Sequence, residues 1–321
     1  MAKPRSMSDS LPIVSIVTQV YNTGREVVEA MESVRASSFQ DWEHIMIDDA
    51  STDDSVAVIE AYCERASYPC TFIKHQQNKG IAATRQEIVS MAKGKYIATL
   101  SDDLLEPNRL ERDVAFLEGH PDHVCGVFGL SQSFDPLTGH PGEMFGHSDG
   151  LSAGQELVFP ADDFAALLLS KNPIPAVSVT MRAHWAQDLP DLKDFFIEDY
   201  PHWVHLSNKG CLFGHRNEVT TMYRDSAISV QKTRCSRVAL DALRAKSMLV
   251  DNPHLESRQV YIAIWRWYWS KLLVLSSQDH KSALRILTSS GASWSHALHG
   301  LKADGARFLK KHLKADDRRT A

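Results

Sequence analysis

Short apolar runs rich in β-branched residues alternate with amphipathic stretches from residue 13 to residue 130, and nothing else in the chain restricts its fold as much. Ile13 to Val17 (IVSIV), His44 to Ile47, Thr71 to Lys74, Tyr96 to Leu100 and Val124 to Leu130 each read as a strand. Between them, Arg25 to Ala36, Ser55 to Arg65, Ile81 to Ala92 and Pro107 to Glu118 have helical spacing. In the first of these, Val27, Val28, Met31 and Val34 fall on one face. Repeated strand–helix units predict an α/β fold with a central, mostly parallel sheet covered on both faces.

Ligands of such sheets bind outside the carboxyl ends of the strands. Two acidic pairs stand there. Asp48-Asp49 closes the second strand, and Asp102-Asp103 follows the fourth. A carboxylate pair at a strand end suits a hard divalent cation, which prefers carboxylate and phosphate oxygens. A strand-end carboxylate can equally accept a hydrogen bond from a base or ribose. The competing reading is structural: Asp102-Asp103 as a solvated turn before the next helix, and Asp48-Asp49 as the approach to a helix capped by Ser51 or Asp53. No GxGxxG follows the first strand and no GxxxxGK[ST] occurs, so Rossmann-type dinucleotide binding and P-loop chemistry are disfavoured. The acidic spacing is also wrong for an Asp-x-Asp phosphatase.

Further along, Asp135 to Pro160 is rich in Gly, Pro, His and Ser and reads as a long loop. Asp162 to Ser170 reads as a helix and Pro175 to Met181 as a strand. Asp191 to Gly210 begins acidic and continues as a helix. Glu198-Asp199 stands at the head of that helix, as a general base or as charge complementing the helix dipole. His202 and His205 share a helical face without an HExxH pattern, so packing explains them better than zinc. Trp265, Trp267 and Trp269 read as helix packing. Leu212 to Tyr223 contains a strand. From about residue 230 the chain turns helical, over Arg237 to Val250, Ser257 to Ser276, and Lys281 to Lys314 with a break near Gly291.

The 35 Lys/Arg and 40 Asp/Glu residues give a net charge of −5, which does not argue for a nucleic-acid partner. Five cysteines with no CxxC pair do not form a disulfide framework or a zinc cluster. The polar start MAKPRSMSDSLP lacks the apolar core of a signal peptide. The most apolar late stretch, Val260 to Leu275, carries Arg266 and Lys271 and is short for a membrane span. These features predict a cytoplasmic protein.

Several segments then resemble the inverting family 2 glycosyltransferases of GT-A fold, in the family's order. VSIVTQVYN (14–22) is similar to their opening strand and Tyr-Asn turn, and FQDWEHIMIDDASTDDS (39–55) to their second strand with Asp-Asp-x-Ser. NKGIAATRQEIVSMAKGKYIATLSDDLLEP (78–107) resembles the run that ends in the metal-site aspartates. FFIEDYPHWVHLSNKG (195–210) is similar to the segment bearing the catalytic base, and TTMYRDSAIS (220–229) to the closing Tyr-Arg segment. The resemblance covers about residues 12–230, which it makes a GT-A domain between a tail (1–11) and a helical region (231–321).

The resemblance implies metal-dependent, inverting transfer of a sugar from a nucleotide-diphosphate donor. The acceptor hydroxyl would belong to a glycan or a lipid-linked saccharide in surface polysaccharide biosynthesis. It sets Gln19 and Tyr21 against the nucleotide base, Asp49 on the base, and Arg85 near the nucleotide. Asp102 goes to ribose or metal, Asp103 to Mn²⁺ or Mg²⁺, and Asp199 becomes the general base with Glu198 beside it. Leu100 replaces the first acid of the Asp-x-Asp-Asp common in the family, and Ser226 stands where a histidine often follows the Tyr-Arg pair. Those departures keep a non-catalytic nucleotide-sugar-binding protein as an alternative, with a sugar nucleotidyltransferase behind it. Residues 302–321 hold seven Lys/Arg among Phe308, Leu309 and Leu313. They would suit peripheral contact with an anionic membrane, or a solvated or partner-docking helix; a homo-oligomer is a separate expectation for the chain.

Overall fold

β1 (Val14–Val20) is covered on both faces, which explains why it reads as a nearly continuous apolar run. In a computed structural model, which describes residues 11–146, 150–226, 233–271, 274–293, 295–297 and 299, it is the hub of a sheet. β2 (Trp42–Asp48) and β4 (Tyr96–Thr99) flank it in parallel, and β3 (Thr71–Lys74) lies parallel outside β2. The helices linking these strands are α1 (Gly24–Arg35), α2 (Ser55–Ala66) and α3 (Ile81–Met91). Val27, Met31 and Val34 of α1 are fully buried in one core with Val14, Ile16, Tyr96 and Ala98. Side chains of this kind contribute ~1.5–3 kcal/mol each when removed from water.

Beyond β4 the sheet changes character. After a short β5 (Leu104–Leu105) and α4 (Arg109–Glu118), the chain does not place β6 (Val124–Phe134) beside β4. β9 (Val179–Arg182) fills that slot and runs antiparallel to both neighbours. β10 (Leu212–Arg224) then pairs parallel to β6 and antiparallel to β5. The expected α/β fold with a central sheet is thus present, parallel in its first half and mixed in its second.

The long loop expected over 135–160 is partly a sheet. β7 (Pro141–Phe145) folds back on β6, and β8 (Glu156–Val158) pairs with β10. The turn chemistry explains the hairpin. The Asp135 carboxylate accepts the N–H groups of Leu137 and Thr138, and Gly139 takes φ +71°.

The described residues form two compact units. The first holds the sheet, α1 to α4 and the short α6 (Ala183–Gln187). The second takes α5 (Ala161–Ser170) and α7 (Asp199–Asn208) together with α8 (Cys235–Ser247), α9 (Ser257–Ser270) and α10 (Ser277–Ser289). A boundary near residue 230 would have left α5 and α7 with the sheet. Their apolar faces explain the regrouping: Phe164 and Leu168 of α5, Trp203 and Val204 of α7, and Leu240 and Leu243 of α8 are buried, and α7 packs against both other helices. Sequence periodicity shows that a face is apolar but not which neighbour covers it.

Among the described residues no helix is long and apolar enough to cross a membrane. Residues 1–10 of the expected tail and the basic stretch 302–321 lie outside the described residues.

Candidate functional site

The carboxyl rim of the sheet is organised by side chains that staple its turns. Asp48 ends β2 opposite Val20 and turns back on its own loop: its carboxylate accepts Ser51 N–H at 3.0 Å and Ser51 Oγ–H at 2.5 Å. The Ser51 hydroxyl accepts Asn22 N–H at 2.9 Å, and Asn22 Oδ1 accepts Thr52 N–H at 2.8 Å. Asn22 and Ala50 hold left-handed φ values of 57° and 59° in these two turns. Gly24 donates its N–H to Ser55 Oγ, and a Cβ there would meet Ser55 Cα at 2.4 Å. The Tyr-Asn turn after β1 and the Asp-Asp turn after β2 are therefore one interlocked surface.

Asp49 fastens a third segment to it. Its carboxylate accepts Lys79 N–H and Gly80 N–H, both at 2.8 Å, and lies 2.8 Å from His75 Nδ1. Burial alone would raise this carboxyl; the bonds from His75, Lys79 and Gly80 outweigh it and hold Asp49 below the usual carboxylate range. Gly80 has φ +86°, which only glycine adopts freely, and it leads directly into α3. His75 also contacts Glu87 at 3.2 Å, and Lys79 Nζ donates to the same carboxylate at 2.6 Å. Gln19 donates its amide to the Ile81 carbonyl at 2.7 Å, tying β1 to the start of α3. Arg85 is buried on α3, and Tyr21 is exposed. Asp49 and Gln19, expected to face a nucleotide, thus also shape the loop that would receive it. His75 and Glu87 escaped sequence reading because a histidine in a loop has no periodicity to betray its partners.

β4 ends on the same rim, since Leu100 N–H bonds the Val17 carbonyl of β1. Leu100 points into the core. Asp102 is partly exposed and accepts Ser101 Oγ–H at 3.0 Å. Asp103 is buried, and its Oδ1 accepts Arg224 N–H at 2.7 Å from the end of β10. The Arg224 guanidinium donates to the Asp102 carbonyl at 3.0 Å and to Glu29 of α1 at 2.6 Å, and lies over the Phe134 ring. Burial, then the neighbouring Asp102 charge, push the Asp103 carboxyl up to about 8. Burial and the same two carboxylates push Tyr223 up to about 12.

This pair fits a hard divalent cation. A buried carboxylate beside a second one is an anionic site that its own surroundings leave under-compensated, and a cation would relieve that cost. Among the described residues no group of three or more His, Cys, Asp or Glu could hold a metal alone. Asp103, with Asp102, would therefore need further oxygen ligands from a substrate, as diphosphates provide.

In the second unit, Glu198 immediately precedes α7 and Asp199 is its first residue. Asp199 Oδ2 accepts the Asn172 amide at 2.8 Å. His202 is buried against Trp203, which suits the packing role expected of it. Trp265 stacks on Trp269 within α9, and Trp267 donates to the Ala239 carbonyl, so the tryptophans pack helices as expected.

Known proteins resemble this chain in sequence and in fold. The sequence model of glycosyl transferase family 2 matches residues 15–171. EpsE of Bacillus subtilis (strain 168) is 41% identical over 113 residues, which are 35% of this chain and 41% of EpsE, so this chain aligns with less than half of that relative. TuaG of the same organism, named for teichuronic acid biosynthesis, is 27% identical over 236 residues, 72% of this chain and 87% of TuaG. The crystal structure of Staphylococcus aureus TarS 1–349 in complex with UDP-GlcNAc superposes with a TM-score of 0.58 at 14% identity, over 86% of this chain and 81% of that one. That likeness establishes the GT-A fold.

Proposed function

We propose, from the match of residues 15–171 to the model of glycosyl transferase family 2, that this chain transfers a sugar from a nucleotide-diphosphate donor to a hydroxyl acceptor with inversion. The observation that carries the reading is the Asp102-Asp103 pair on the carboxyl rim, with Asp103 buried and its carboxyl raised to about 8. Gln19 of β1, Tyr21 and Asp49 in the interlocked turns, and Arg85 of α3 form the nucleotide side of the site. The acceptor is a glycan or lipid-linked saccharide of surface polysaccharide biosynthesis, a reading supported by TuaG, which aligns over most of its length.

The chemistry follows from charge and proton balance. The acceptor oxygen attacks the anomeric carbon as the bond to the diphosphate breaks, and the bonding electrons leave with the phosphate. Asp199 takes the proton from the acceptor hydroxyl. A divalent cation, Mn²⁺ or Mg²⁺, held by Asp103 with Asp102 would stabilise the departing nucleoside diphosphate. With Leu100 turned into the core, Asp103 is the principal protein ligand.

A thermal-shift panel of UDP, GDP, UDP-GlcNAc and GDP-mannose, each with and without Mn²⁺, tests this. Stabilisation follows mass action, so the preferred donor gives the largest rise in Tm, and only with the cation. No shift with any nucleotide would remove the basis of the proposal.

A further inference from the structure

The segment that carries Glu198 and Asp199 has little regular structure of its own before α7 begins. Its conformation is set by one helix of the C-terminal region. Asp241, in the middle of α8, is fully buried, and its Oδ2 accepts two consecutive backbone N–H groups, Phe196 at 2.6 Å and Ile197 at 3.0 Å. Arg244, almost one turn later, donates to Asp241 Oδ1 at 3.1 Å and to the Asp194 carbonyl at 2.5 Å. The two side chains thus grip residues 194–197, directly ahead of the Glu198-Asp199 pair.

The same helix also supports the other partner of Asp199. Lys246 is buried and donates to the Leu169 carbonyl at 2.5 Å and the Leu168 carbonyl at 3.4 Å, at the end of α5. Helix ends leave carbonyls without an intrahelical donor, so this ammonium fixes where α5 stops. Tyr200, next to Asp199, donates its hydroxyl to Leu168 as well. Asn172, just after α5, then donates to Asp199 Oδ2 at 2.8 Å. A buried carboxylate is expensive unless it is fully bonded, and general packing does not call for an acid at Asp241. Two backbone N–H groups held at fixed spacing do.

We infer that Asp241, with Arg244, is a positioning residue for the base-bearing turn, so that α8 of the C-terminal region is part of the transfer machinery. This rests on the assignment of Asp199 as the base. Positioning errors of about 1 Å cost on the order of a hundredfold in rate, whereas donor binding, which needs no base, stays unaffected.

The test uses the full chain with Mn²⁺ and UDP-GlcNAc or GDP-mannose, whichever stabilises it more, following nucleoside diphosphate release with water as acceptor. Asp241→Ala should lower kcat at least tenfold with the donor KM within twofold of wild type. Asp241→Asn, whose amide oxygen can accept both N–H groups but whose amide nitrogen cannot accept from Arg244, should recover kcat at least threefold over Asp241→Ala without reaching wild type. Arg244 is partly exposed, so Arg244→Met tests the same grip should Asp241→Ala not fold; it should lose at least threefold in kcat at unchanged KM. Wild-type kcat in Arg244→Met, or in a folded Asp241→Ala, overturns the inference. Asp199→Asn separates the two readings. If it is inactive while the α8 variants match wild type, only the positioning inference fails. If it turns over normally, or if wild type releases no diphosphate from any donor, the base assignment fails and the inference with it.

Discussion

The Asp103 carboxylate accepts the backbone N–H of Arg224 at 2.7 Å, which ties the turn after β4 to the last residue of β10. One side chain thus closes the rim and carries the charge assigned to the cation. The two duties can be separated. Asp103→Asn keeps an acceptor oxygen for Arg224 but removes the anion, so its Tm should stay within a few degrees of wild type. Mn²⁺-dependent binding of UDP or GDP by calorimetry should weaken at least tenfold, since charge and hardness select the cation. Unchanged calorimetric affinity in the presence of Mn²⁺ would contradict the assignment.

Asp49 is expected to be costlier to remove than a residue that only touches a ligand. Asp49→Ala leaves the N–H groups of Lys79 and Gly80 without their acceptor and takes away a partner of His75. Lys79 is exposed and Gly80 half-buried, so water can take up part of the lost bonding; a loss of about 1–2 kcal/mol in urea unfolding is expected, along with weaker nucleotide binding. A variant as stable as wild type that merely binds nucleotide less well would show that the loop does not depend on this carboxylate.

These two residues also show how far the sequence was legible. Asp49 and Asp103 were visible because each follows an apolar β-branched run, and strand ends are where such sheets bind ligands. Their partners were not visible. Arg224 is 121 residues from Asp103, and the bond uses its backbone N–H, which no residue type advertises. His75 and Gly80 act through loop geometry. β9 was readable as a strand, but its place between β4 and β6 depends on topology, which periodicity does not encode. The regrouping of α5 and α7 with the C-terminal helices has the same origin.

His44 gives a pH prediction with a definite sign. It is buried in β2 between Thr18 Oγ1 at 2.9 Å and Tyr68 Oη at 2.8 Å, and burial pushes its pKa down to about 3. The unfolded chain binds a proton near the ordinary value of about 6.5 while the folded one does not, so the unfolded state holds more protons between those values. Stability from this group is therefore complete above pH 6.5 and declines as pH falls toward 3. Urea midpoints measured at pH 7 and pH 5 should drop for wild type, and the drop should be smaller for His44→Gln. Equal pH dependence in both proteins would place the titrating group elsewhere.

Asp199 and Glu198 are adjacent, yet the proposal gives them unequal weight. Asp199 has a fixed donor in Asn172 and opens α7, whereas Glu198 precedes it as the helix cap residue. A base acts on the acceptor proton in the transition state and adds nothing to ground-state donor binding. Asp199→Asn should therefore leave the donor Kd within twofold while lowering kcat by about 10²–10⁴, the usual contribution of a positioned general base. Glu198→Gln, which leaves the Asp199 carboxylate in place, should lose less than about tenfold. The decisive pattern is the contrast. If Glu198→Gln is the more damaged variant while both still bind donor, the base is Glu198, and the bonds that Asp241 makes to Phe196 and Ile197 then position that residue instead.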